Sequence, residues 1–162
     1  MSRPGEGVAL GILELDWPST TPIHDHLPWA SPAGARGHGF ADHALATAGV
    51  LLSRAPTLPG ICPYARVHLA CPGRTSLARA LDDLARRLPD GGVLLAEATY
   101  RSPTGELPLD HDPEVAPVLA SHAERLVIVL PAGNGGFGLG SKRSEGVWYA
   151  GACNSDGAWR GT

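Results

Sequence analysis

Cysteine is scarce. Only Cys62, Cys71 and Cys153 occur in 162 residues, and no two stand in CxxC spacing. An odd, scattered set argues against a disulfide framework and a structural zinc, and leaves buried free thiols as the expectation. Long apolar runs are missing too. None reaches the ~18 residues of a membrane span. The opening MSRPGEGVALGILELDW does not read as a secretory leader, because its short apolar run is broken by Glu14 and Asp16. The cytoplasm is therefore the default location. Neither sign of charge dominates. A net charge of −3 gives no footprint for nucleic acid or an anionic membrane.

What remains is a globular composition, 43% hydrophobic and 18% charged, with 21 Gly and 15 Pro that promise many loops. The length suits one domain. Val8–Leu15 and Arg66–Ala70 read as strands, as do Val93–Ala98, Leu126–Leu130 and Gly146–Ala152. Asp42–Ser53 reads as a helix capped by Asp42. In a second helix, Thr75–Leu88, Leu77, Leu81, Leu84 and Leu88 form one stripe. Asp82/Arg86 and Asp83/Arg87 are its i,i+4 pairs. A third helix opens at Asp112-Pro113 and runs to about Arg125, with Pro117 in its first turn. Pro18–Gly39 and Arg101–Asp110 show no clear pattern. Strands alternating with helices predict an α/β fold, a three-layer α/β/α with a mainly parallel sheet. In such sheets functional groups gather at the carboxyl ends of the strands.

Three residues at such ends could carry chemistry. Asp16 follows the first strand. His43 opens the helix after Asp42, where the helix dipole disfavours imidazolium, so it needs a carboxylate partner to act as a base. Asn134, in LVIVLPAGNGG, could donate an amide hydrogen to an oxyanion. Each also has an ordinary reading, as a turn Asp, a surface His and a Gly-Asn-Gly turn. Gly133, Gly135 and Gly138 match GxGxxG, but no helical stripe follows them, which argues against a dinucleotide site. His24-Asp-His26, His38 and Asp110-His111-Asp112 lack a zinc spacing. They leave room for a structural calcium and give no reason to expect a cofactor.

Taken in order, these blocks resemble the subtilisin-like serine proteases (subtilases). GILELDW followed by HDHL is similar to the family's first strand and its catalytic Asp, which places Asp16 in that role. His43-Ala-Leu-Ala-Thr-Ala-Gly49 is similar to HGTxVAG, with Ala44-Leu45 replacing the usual Gly-Thr. His38, in Gly-His-Gly, is a rival whose spacing to Ala48-Gly49 is too long. Gly60-Ile-Cys-Pro-Tyr-Ala-Arg-Val67 looks like GVAPxAxL. Gly92–Thr99 resembles the strand lining the substrate cleft, with Glu97-Ala98 where the family ends in a Ser-Leu-Gly type. VIVLPAGNGG resembles the AAGNxG block, which places Asn134 at the oxyanion. The resemblance implies an endopeptidase acting on polypeptides through Asp16, His43, Asn134 and a serine. The GTSxA block that holds the serine is absent, and Ser141, Ser144 and Ser155 stand in the wrong register. The expectation is thus a partial peptidase domain over residues 1–162, inactive alone and completed by a missing C-terminal half or partner chain. The alternative is a noncatalytic module that binds a peptide or partner.

Overall fold

The computed structural model describes residues 3–19, 32–103, 105–133 and 144–151. In chain order its elements are β1 (Ala9–Leu13), α1 (Ala41–Leu52), β2 (Arg54–Ala55), β3 (Leu58–Pro59), β4 (Arg66–Ala70), α2 (Leu77–Ala85), β5 (Val93–Ala96), β6 (Thr99–Ser102), β7 (Gly105–Pro108), α3 (Ala116–His122), β8 (Val127–Pro131) and β9 (Val147–Ala150). A 3-10 turn, Leu109–His111, precedes α3.

Five strands make one sheet in the order β4-β1-β5-β8-β9, and every pairing is parallel. The α/β architecture expected from the alternating elements is therefore present. β1 lies between two neighbours and is buried along its whole length. Successive side chains of a strand point to opposite faces, and this alternation sorts the core. Leu10 and Ile12 pack with Ala44, Ala48 and Leu52 of α1, and with Trp17. Ala9 and Leu13 pack on the other side with Leu81 and Leu84 of α2 and Leu119 of α3. Gly11 lets α2 come close, since a Cβ there would stand 2.9 Å from Leu88 Cδ1. Helices thus cover both faces. Among the described residues no helix is long and apolar enough to cross a membrane.

Several local expectations shift. Phe40, not Asp42, is the N-cap of α1; Asp42 lies within the first turn, where its charge complements the helix dipole. Ser76 caps α2, accepting from Arg79 N at 3.2 Å. Asp82 pairs with Arg86 as expected, but Asp83 pairs with Arg79. α3 begins at Ala116 rather than Asp112, with Pro117 in the first turn where its missing N–H is harmless. The Asp112 carboxylate instead closes a turn by accepting from Glu114 N at 2.8 Å. The stretch from Arg101 is ordered: β6 and β7 form a hairpin at the carboxyl side of β5.

Behind the sheet, a buried polar link joins the last turn of α2 to α3. Arg125 donates to the carbonyls of Ala85 (2.6 Å) and Leu88 (2.8 Å) at and beyond the helix end, where carbonyls run short of intrahelical donors. It also donates to His122 Nδ1 at 3.3 Å. Nδ1 is thereby the acceptor, so the opposite Nε2–H donates to Asp82 at 2.9 Å.

Candidate functional site

The sheet ladder continues one residue past two neighbouring strands. Glu14 N donates to Ala70 O at 3.1 Å, and Glu97 N donates to Leu13 O at 2.8 Å. Leu13 and Ala96 are paired, so Glu14 and Glu97 stand abreast at the carboxyl ends of β1 and β5. Alternation puts both on the α1 face, following Leu10 and Ile12 in one strand and Val93 and Leu95 in the other.

His43 meets them from the first turn of α1. Its Nδ1 lies 3.0 Å and 3.2 Å from the two Glu14 carboxylate oxygens. Thr47, one turn further along, also hydrogen-bonds Glu14. The 43/47 spacing sets both side chains on one helix face. Glu14 is only 1% exposed, while the His43 side chain is 55% exposed. Burial raises the Glu14 carboxyl above its ordinary value, against the opposing bonds from Thr47 and His43; the nearby Glu97 charge pushes the same way as burial. With Nδ1 donating to the carboxylate, the unprotonated nitrogen of a neutral ring is Nε2. It has no hydrogen-bond partner among the described residues.

Asp16 does something else. Its Oδ1 accepts from Trp17 N (2.8 Å) and Arg36 N (2.9 Å), and its Oδ2 accepts from His38 N (2.9 Å). Burial opposes its charge, but these donors, with the positive field of His38, outweigh it and hold the carboxyl below its ordinary value. The expected pairing of Asp16 with His43 is therefore replaced by Glu14 with His43. The physical reason is reach: Glu14 still belongs to the strand and lies under α1, whereas Asp16 has turned to the segment that precedes the helix. His38, the rival histidine, hydrogen-bonds Asp16 through its backbone N–H, and its ring acts there only through its charge.

An open cleft of about 590 Å³ lies over these groups. His43 and Glu97 line it together with the apolar Leu15, Phe40 and Pro131, and the hairpin contributes Arg101 and Glu106. Asn134 lies outside the described residues. Gly133, just before it, has φ 91° and leaves no room for a side chain, since a Cβ would stand 2.5 Å from Glu106 O. The end of β8 is thus seated on the hairpin. Ser144, also outside the expected serine register, donates to Asp110 at 2.7 Å, and Tyr149 donates to the same oxygen. Cys71 is buried and Cys62 half-buried, both free; Cys153 lies outside the described residues, as do Ser141, Ser155, His24 and His26. Among the described residues no three His, Cys, Asp or Glu side chains group to hold a metal.

The expectation of a carboxylate behind His43 pointed to the wrong residue. The missed signal was a Glu inside the apolar run VALGILEL, since a carboxylate that continues a buried strand needs a partner. No protein-family model matches the sequence, and no curated protein matches it.

Proposed function

We propose that the chain is the acid–base part of a subtilisin-like serine endopeptidase domain. The observation that carries this reading is the Glu14–His43 pair at the carboxyl end of a central parallel strand, open to a cleft through the imidazole. In this reading Glu14 holds the ring with Nδ1 protonated and stabilises the imidazolium that forms. His43 Nε2 takes the proton of a serine hydroxyl as it attacks a peptide carbonyl, then returns it to the leaving amine. Asn134 would donate to the oxyanion. Asp16 acts at a distance, by fixing the backbone of Arg36 and His38 ahead of α1. Among the described residues no hydroxyl partners His43 Nε2, so the serine is not assigned.

A second reading is favoured by the sheet's far edge. Val127 and Trp148 are exposed, Trp148 by 69%, on the face opposite Ile128, Leu130, Val147 and Tyr149. An uncovered apolar face suits a noncatalytic module that holds a partner chain.

The test is hydrolysis of an unfolded protein substrate by the native protein, with His43→Ala, Glu14→Gln and Asp16→Asn as variants. Loss in the first two with activity kept in the third supports the peptidase reading. Activity that survives His43→Ala overturns it. The chain alone is expected to be inactive for want of its serine; activity gained on adding the serine-bearing segment supports the peptidase reading, and none gained moves the case to the binding module.

A further inference from the structure

We infer that Glu97 is a specificity residue, which receives the guanidinium or ammonium group of a cationic residue in a bound peptide; this rests on the peptidase reading of the cleft. Three observations lead there. First, Glu97 is half-buried in the cleft wall, and its carboxylate makes no hydrogen bond or ion pair among the described residues. The other carboxylates nearby have partners: Glu14 has His43 and Thr47, and Glu106 faces Arg101 at 3.7 Å across the hairpin. A carboxylate drawn out of water without a donor is unfavourable, and burial indeed raises its carboxyl, partly offset by the attraction of His43. A residue kept there only for packing would not need the charge.

Second, Glu97 stands abreast of Glu14. Two carboxylates side by side concentrate negative potential at one end of the cleft. Among the described residues His43 is the basic group that acts on both, and Glu14 occupies its Nδ1. Arg101 is 86% exposed and turned to Glu106, so it leaves Glu97 uncompensated.

Third, apolar side chains share the cleft with these charged groups. Leu15, Phe40 and Pro131 line the same space. Arginine and lysine combine an apolar stem with a cationic tip; the stem suits these walls and the tip suits the carboxylate. A planar guanidinium adds bidentate geometry.

The experiment is a binding titration on the full chain with N-acetyl-arginine N-methylamide and its neutral isostere, N-acetyl-citrulline N-methylamide, followed through the backbone amides of Ala98 and Thr99. The expected result is a preference for the arginine probe of about tenfold or more. Glu97→Asp keeps most of the preference and Glu97→Gln abolishes it. Equal affinities, failure of both probes to bind, or a preference that survives Glu97→Gln would each overturn the inference. Binding is read with no bond broken, so the two ideas fail separately. A preference with no hydrolysis even when the serine-bearing segment is supplied removes only the peptidase reading. Hydrolysis without a preference removes only the role of Glu97.

Discussion

Glu14 Oε2 lies 3.0 Å from Nδ1 of His43, while Asp16, two residues further on, spends both its oxygens on main-chain N–H groups. Two carboxylates of one short segment thus have opposite environments. One is buried and its carboxyl raised; the other is encircled by donors and its carboxyl lowered. They should respond to pH in opposite senses.

Asp16→Asn should destabilise the fold at neutral pH by about 1–2 kcal/mol, since an amide cannot accept from all three donors as well. A lowered carboxyl contributes stability above its unfolded value of 3.8, and that contribution is lost as pH falls through the lower folded value. The gap in Tm between variant and parent should therefore close in acid. A gap that persists unchanged below that range would show that the donors do not favour the charged form.

Glu14→Gln should behave the other way. A raised carboxyl contributes stability below its unfolded value of 4.5 and loses it as pH rises through the folded value. Glutamine mimics the protonated acid, so the Tm of the variant relative to the parent should rise as pH climbs above 4.5 and level off once the raised folded value is passed. Thermal melts from acid to neutral pH check this. A large drop in Tm throughout would mean that the bond to His43 holds the fold together. A kept fold with lost hydrolysis would separate function from structure at this residue.

Arg125→Met should cost about 2–3 kcal/mol, because it leaves the carbonyl of Leu88 and the Nδ1 of His122 without their donor and takes the second donor from Ala85 O, which keeps Leu88 N. Denaturant unfolding measures the loss. The cleft lies on the opposite face, so binding of the arginine probe by the folded fraction should be unchanged.

Much of the fold was legible because its strands are short apolar runs. VALGILEL is buried along the whole of β1, LVIVL buries alternate side chains, and Arg66–Ala70 has the expected bounds. The β6–β7 hairpin was not legible. Its strands are four residues each and carry Arg101, Glu106 and Pro108, too short and polar for periodicity to show. His43 was singled out from the sequence, and it lines the cleft. Its carboxylate was misassigned because position after a strand was weighed above parity within it. Glu14 shares the face of Leu10 and Ile12, which is the face α1 covers. Glu97 likewise follows Val93 and Leu95 on that face, a relation that appears only once the register of β1 against β5 is known.

The central place of β1 also bears on how the chain is made. It leaves the ribosome well before its partners, β4 and β5. At about 5–20 residues per second the strand waits several seconds for its first neighbour. Through that interval its apolar side chains have no sheet to join, which makes early synthesis the time when a chaperone would have the most to hold.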